Sequence, residues 1–364
     1  RRETRRLLLQ SGEITVSYTE AANETAMIKK EWISQGFISD PAPAGADLAS
    51  EIRKMCMAKE AVVLAHYYTD GSVQQVADFV GDSLALAWQA AATDAKMIVM
   101  CGVHFMAETC KLLSPGKVVL CPDLNAGCSL ADSCNADDLR KFKDSHPGHK
   151  VVSYVNTTAA VKALTDIVVT SGNAKKVIDS FPEGEKIIFG PDYNLGSYIN
   201  AVTGRQMLLW HGGCHVHERF SVEQIARLKA EHPGALVLAH PECKGPVLKM
   251  ADVVGSTALL LKYAAAHPDN EYIVATEAGI LHEMKRQCPQ THFHPVPPEM
   301  PAEAPSAAEG GAAVGCHCNE CQYMKMNTLL KIYNCLKHEW PSVDVDPAIA
   351  AEAVKPIERM LAIS

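Results

Sequence analysis

The run Val62-Val63-Leu64-Ala65-His66-Tyr67-Tyr68 decides the reading of this chain, because its pattern comes back twice. It is a short β-rich stretch ending in polar aromatic residues. A helical stretch to Ala77-Asp78 and then Gly81-Asp82-Ser83 follow it. A second copy opens at Val151-Val152-Ser153-Tyr154-Val155-Asn156 and continues to Thr165-Asp166 and Thr170-Ser171. A third opens at Leu236-Val237-Leu238-Ala239-His240-Pro241-Glu242 and continues to Ala251-Asp252 and Gly255-Ser256-Thr257. His66 to Ser83 and Tyr154 to Ser171 each span 17 positions, and His240 to Ser256 spans 16. His66, Tyr154 and His240 stand 88 and then 86 residues apart.

Past each Ser the pattern goes on. Residues 84–92, 174–181 and 258–266 have helical periodicity, and 97–101, 187–190 and 272–275 are apolar strands. Alternating strands and helices predict parallel sheets covered on both faces. The period is too long for a solenoid and suits triplicated small domains. The expected fold is therefore α/β: three pseudo-threefold-related α/β/α three-layer domains around a central active-site cleft. The expected units are an extension over 1–48, repeats over 49–133, 134–218 and 219–325, and a C-terminal helical segment over 326–364. The extension has helix-like and Pro/Ala-rich pieces.

Each repeat closes on a cysteine in a glycine-bearing loop: Ala126-Gly127-Cys128-Ser129, Gly212-Gly213-Cys214-His215, and Gly315-Cys316-His317-Cys318-Asn319-Glu320-Cys321. Cys128 and Cys214 lie 86 residues apart, and a Pro/Ala/Gly-rich loop over 295–315 delays the third. Working residues of open α/β sheets gather beyond the C-terminal strand ends. Three thiolates meeting there suit a four-iron cluster with one open iron, which could serve as a Lewis acid. Zinc stays open as an alternative, held by Cys316, Cys318 and Cys321 or by Cys214, His215, His217 and Glu218, and so does a redox-active cysteine pair.

Ser83, Ser171 and the Ser256-Thr257 pair stand at expected helix starts. One such Ser is a cap, but three helix N-termini facing one cavity would bind phosphate and carboxylates. His66, Tyr68, Tyr154, Asn156, His240 and Glu242 stand at strand ends facing the same centre, and His217 follows Cys214 by three residues. His and Glu can move protons near neutral pH, while Tyr and Asn can orient a substrate.

Composition bounds the rest. The 364 residues are 48% hydrophobic and 21% charged, a globular balance. Lys and Arg number 34 against 42 Asp and Glu, a net charge of −8 with no basic block, which disfavours a nucleic-acid binder. No apolar run approaches a membrane span. The 13 cysteines are odd in number, and several, such as those in Ile98-Val99-Met100-Cys101 and Val119-Leu120-Cys121, read as buried reduced thiols. A cytoplasmic location is expected. The chain opens at Arg1 rather than Met, which leaves room for a trimmed targeting segment, although Leu7-Leu8-Leu9 is too short for a signal-peptide core.

Longer motifs carry a family resemblance. Leu64-Ala65-His66-Tyr67-Tyr68-Thr69-Asp70, Ala77-Asp78-Phe79-Val80-Gly81-Asp82-Ser83-Leu84 and Gly102-Val103-His104-Phe105-Met106-Ala107-Glu108-Thr109 are similar to stretches of the quinolinate synthase family (quinolinate synthetase A). Ala126 to Leu130, Tyr154 to Thr157, His240 to Cys243, Ala275-Thr276-Glu277 and the run Cys321 to Asn327 complete the set. The resemblance implies condensation of iminoaspartate with dihydroxyacetone phosphate to quinolinate, with release of phosphate and water, in de novo NAD biosynthesis. It implies a [4Fe–4S] cluster on Cys128, Cys214 and Cys321, whose open iron polarises the substrate as a Lewis acid. It also implies Glu242 as general base, with His240, Tyr68 and His217 as further catalytic groups. His66, Ser83, Tyr154, Asn156, Ser171, Ser256 and Thr257 would bind substrate. Functional coupling to L-aspartate oxidase or aspartate dehydrogenase would follow, with no nucleic acid and no membrane as partner. Some relatives carry a C-terminal Cys-x-x-Cys-x-x-Cys. Here Gly315 stands at its first position, and a Cys318–Cys321 redox pair would compete with the cluster for Cys321. Other three-cysteine cluster enzymes, an isoprenoid-pathway reductase or a diphthamide-type radical enzyme, and a non-catalytic iron–sulfur or zinc sensor are the rival readings.

Overall fold

A computed structural model describes residues 4–9, 12–17, 29–298 and 319–363. The extension opens with an antiparallel hairpin of β1 (Thr4–Leu9) and β2 (Gly12–Ser17), not with helix. The β-branched Ile14-Thr15-Val16 run favours the extended backbone over the helix expected there. Past a short helix at Lys30–Gln35, Trp32 and Ile38 are buried in the main core. Asn334 of the C-terminal helix Leu329–His338 anchors this segment by donating to the Asp40 carbonyl at 2.8 Å.

Three parallel four-stranded sheets follow. The first holds β3 (Ala61–His66), β4 (Phe79–Gly81), β5 (Met97–Cys101) and β6 (Val118–Leu120). The second holds β7 (Lys150–Tyr154), β8 (Ile167–Val169), β9 (Ile187–Gly190) and β10 (Leu208–Leu209). The third holds β11 (Leu236–Ala239), β12 (Val253–Val254), β13 (Tyr272–Ala275) and β14 (Phe293–Pro295). Every sheet has its own second strand at one edge, then its first, third and fourth. The central strands β5, β9 and β13 are buried throughout, as helices on both faces require. The C-terminal helices Leu329–His338 and Pro347–Ile363 contribute Ile332, Leu336, Ile357 and Met360 to the cores around the first two sheets.

The Asp of each repeat has a structural reason. Asp78, Asp166 and Asp252 immediately precede β4, β8 and β12. Their Oδ2 atoms accept the N–H of Val63, Val151 and Val237 at 2.7, 2.8 and 2.7 Å. The N–H of each Asp returns a bond of 2.9 Å to the carbonyl of the same Val. The carboxylate thus supplies the acceptor that the short second strand lacks at that height of the sheet. Among the described residues no helix is long and apolar enough to cross a membrane.

Candidate active site

The loops beyond the strand ends of all three sheets line one cavity of about 700 Å³, open mouth included. His66, Tyr68, Ser83, Tyr154, Asn156, Ser171, His217, His240, Glu242, Thr257, Cys128, Cys214 and Cys321 all contribute to its wall. Ser256 is the exception among the residues singled out from the sequence. It is buried beside the wall, and its Oγ accepts the Leu259 N–H at 3.3 Å as the cap of helix Thr257–Ala266. Of the other two expected helix starts, Ser83 holds and Ser171 does not. Ser83 is the first residue of helix Ser83–Ala92, and Asp82 caps it by accepting the Ala85 N–H at 3.0 Å. Ser171 lies in a turn before the six-residue helix Ala174–Asp179, because Asn173 Oδ1 turns back to the Thr170 N–H at 2.7 Å. Among the described residues, the helices after β4 and β12 therefore bring a capped N-terminus of useful length to the cavity.

The cysteine loops obey the threefold relation in detail. His104, Tyr193 and Ala278 each stand three residues beyond the end of β5, β9 or β13. Their N–H groups donate to the carbonyls of Ala126, Gly212 and Asn319 at 2.7, 2.9 and 3.1 Å. Each acceptor stands two residues before Cys128, Cys214 or Cys321. Cys321 is thus the structural mate of the other two. Cys316 and Cys318, and with them the Cys318–Cys321 pairing, lie outside the described residues. Ser129 joins two of the loops directly: its Oγ donates to the Gly213 carbonyl at 3.3 Å and accepts the His215 N–H at 3.1 Å.

Burial pushes the thiol of Cys128 up to about 12, with Cys321 nearby adding to the shift. Burial likewise raises Cys214 well above its ordinary value, with Glu242 and Cys128 adding, and takes Cys321 to about 11. Such thiols stay protonated unless a cation balances them. The other described cysteines are buried in the core, whereas these three are partly exposed toward one cavity. A donor set of three thiols, one per domain, fits a cluster with three protein ligands. A second cluster of possible ligands, His232, Glu271 and His294, lies outside this cavity. Its imidazoles are stacked at 3.6 Å, and His232 Nδ1 and His294 Nε2 both meet Glu271 Oε1, at 3.1 and 2.6 Å.

A buried acid–imidazole network lies against Cys214, with His217 Nδ1 3.1 Å from Cys214 Sγ. Glu242 accepts the Tyr154 hydroxyl at 2.5 Å and lies 3.0 Å from His217 Nδ1. Burial alone would raise its pKa, but His217 and His240 outweigh that and hold the carboxyl below the ordinary range. Burial lowers both His66 and His240 to about 3. The backbone agrees with neutral rings: the Tyr68 N–H points at His66 Nδ1 at 3.1 Å, and the Glu242 N–H points at His240 Nδ1 at 3.3 Å. Each Nδ1 must therefore be unprotonated, which leaves the proton on Nε2. His240 Nε2 lies 3.2 Å from Ser171 Oγ. Burial keeps Tyr68 and Tyr154 protonated as donors.

Several residues of the site were not singled out beforehand. Thr276 Oγ1 joins His217 Nε2 at 3.0 Å to the Tyr68 hydroxyl at 2.9 Å. Asp82, Ser129, Thr170, Glu277 and Met324 also line the cavity, as does His215, which the sequence offered only as a possible zinc ligand. Lys162 is fully buried, with burial lowering it to about 8. It donates to the carbonyls of Val155, at 2.9 Å, and Thr157, and so shapes the turn that carries Asn156. Position relative to the third strand would have found Glu277 and Asp192, since both stand two residues past it, as Val103 does in the first repeat.

Fold and site together define a three-domain α/β protein with a thiol-bearing central cavity of the kind metal-dependent enzymes use. The sequence matches the Quinolinate synthetase A protein family over residues 50–362, and the chain belongs to that family. It is 49% identical over 322 residues to the quinolinate synthase of Thermosynechococcus vestitus, covering 88% of this chain and 97% of the relative. It is 50% identical over 318 residues to that of Chloroherpeton thalassium, covering 87% and 95%. With that of Synechocystis sp. it shares 48% identity, covering 87% and 96%.

Proposed function

We propose that this chain is a quinolinate synthase that condenses iminoaspartate with dihydroxyacetone phosphate to quinolinate, as a step of de novo NAD biosynthesis. The observation that carries the proposal is the threefold loop geometry that brings Cys128, Cys214 and Cys321 to a cavity walled by Glu242, His217, His240, Tyr68 and Tyr154. The three cysteines would hold a [4Fe–4S] cluster, and that group, when bound, supplies a Lewis-acidic iron with an open position. The overall reaction balances with phosphate and water as by-products, so it consumes neither oxidant nor reductant.

In this reading, His66, Ser83, Tyr154, Asn156, Ser171, Ser256 and Thr257 bind and orient the substrates, Ser256 by fixing the helix start that carries Thr257. Among the described residues no Lys or Arg lines the cavity. Hydroxyl and N–H donors then hold the carboxylates and the phosphate, which suits a phosphate that must leave. Glu242 is ionised and takes a proton from substrate carbon as the ring forms. Neutral His240, together with His217 and Tyr68, passes protons to the departing hydroxyl. The substrate iminoaspartate would come from an enzyme that oxidises aspartate, an L-aspartate oxidase or an aspartate dehydrogenase, and the reaction would take place in the cytoplasm.

The test is turnover of anaerobically reconstituted protein with both substrates, reading quinolinate directly. The wild-type chain should form it, and Glu242→Gln should retain its iron while losing about 100-fold or more in kcat. Cluster-loaded wild type without quinolinate, or a Glu242→Gln variant with unchanged kcat, would contradict this reading.

A further inference from the structure

Cys321 comes to the cavity by a different route from its two mates. β6 ends at Leu120 and β10 at Leu209, shortly before Cys128 and Cys214. β14 ends at Pro295, far ahead of Cys321. A loop entered over so long a connection needs another hold, and in the third repeat a carboxylate supplies it. Cys321 N–H donates to Glu277 Oε1 at 2.9 Å, and Gly279 N–H donates to Glu277 Oε2 at 2.6 Å. The equivalent Asp192 gives its Oδ1 to the Leu195 N–H, capping its own helix, and the equivalent Val103 has no polar group to give.

Glu277 is 0% exposed, and Lys325 places its Nζ 3.5 Å from Oε1. Lys325 stands one helical turn after Cys321, with its N–H bonded to the Cys321 carbonyl at 3.2 Å. The same ammonium donates to the Tyr68 carbonyl at 3.0 Å. The Tyr68 turn is itself seated on Gly279, where an added Cβ would fall 2.8 Å from Tyr68 Cα and 2.9 Å from the Tyr67 carbonyl oxygen. Gln74 Nε2 ties the two together by donating to the carbonyls of Tyr67 and Gly279.

We propose that Glu277 and Lys325 are a pair of positioning residues that latch the Cys321 loop onto the cavity wall and couple it to the turn carrying Tyr68. Both Glu277 oxygens are taken up by backbone N–H groups, so the pair acts through the loop. It sets where the third thiolate stands and makes the placement of Tyr68 depend on that loop. A buried carboxylate accepting two N–H groups tolerates neither loss of an oxygen acceptor nor loss of its counter-charge. This inference rests on the cluster reading of the cavity.

The test uses the full chain, anaerobically reconstituted, as wild type, Glu277→Gln, Lys325→Met, Lys325→Arg and the Glu277→Gln/Lys325→Met double variant. The readouts are iron release to a chelator under native conditions and the spectrum of the reduced cluster. Glu277→Gln and Lys325→Met should each release iron about tenfold faster or more, as supporting residues around a metal site do, with an altered spectrum. Lys325→Arg should restore wild-type retention, and the double variant should fall near the worse single one, since the two act as a unit. Should Glu277→Gln fail to fold, Lys325→Met and Lys325→Arg carry the test alone. Release within about twofold of wild type with an unchanged spectrum in the folded variants would overturn the latch. Wild type that holds no iron and sulfide would overturn the cluster reading itself, with the latch.

Discussion

His66 and His240 occupy the same place in two repeats and make the same bond. In each, the backbone N–H two residues on is aimed at Nδ1, and burial holds the pKa near 3. The folded state therefore leaves both rings neutral where the unfolded chain, with an ordinary imidazole, takes up a proton. Stability from these groups is whole above about pH 6.5 and is lost as the pH falls toward 3, by up to about 1.4 kcal/mol per pH unit for each ring. His240→Asn offers an oxygen near the place of Nδ1 and cannot titrate. In denaturant series between pH 6.5 and 4.5, its apparent stability should fall less steeply than that of wild type by about one proton's worth. Parallel slopes would show that His240 is charged in the folded protein. At this scale the sequence shows which residues face the centre, because the repeat superimposes His66 on His240. It does not show their protonation, which depends on burial and on a backbone bond that only the folded turn creates.

At the scale of elements, one aspartate per repeat secures a strand only two or three residues long. Asp78, Asp166 and Asp252 accept from Val63, Val151 and Val237 at nearly equal distances. Substitution by Ala leaves a strand N–H without its acceptor. Each of the three changes should cost about 2 kcal/mol, and Asn should recover about half by keeping an oxygen in place. Denaturation midpoints of the three Ala variants would check this, and a cost confined to one repeat would refute the equivalence. The Asp was visible in the sequence as part of the recurring pattern, but its partner 15 residues earlier was not. The helix starts show the opposite failure. Ser83 and Ser171 have the composition of caps, yet Asp82 and the inward-turned Asn173 hold those places, because neighbouring short polar residues compete for the same N–H groups. The hairpin of β1 and β2 was missed because residues 1–48 belong to no repeat and gave nothing to compare.

At the scale of the molecule, the repeat is the organising fact. It predicted three sheets, and the sheets share one strand order. It also assigned Cys128 and Cys214 to one another by their spacing. Cys321 could not be reached in that way, since the long segment ahead of it breaks the period and places three cysteines close together. The backbone bond from Ala278 to Asn319 matches those from His104 to Ala126 and from Tyr193 to Gly212, which favours Cys321. Glu277 escaped notice for a related reason: its partner Cys321 is 44 residues away, and nothing local marks the two as neighbours.

The central claim is that one thiolate from each of three domains holds a single iron–sulfur cluster. The most direct test is iron, acid-labile sulfide and zinc per chain after anaerobic purification and reconstitution, for wild type, Cys128→Ala, Cys214→Ala, Cys321→Ala and Cys110→Ala. Cys110 is buried against Met100 in the core and serves as the control. Wild type and Cys110→Ala should carry about four iron and four sulfide, and each of the other three variants should lose most of both. Zinc without sulfide in the wild type, or equal retention in Cys110→Ala and the three cavity variants, would contradict the account.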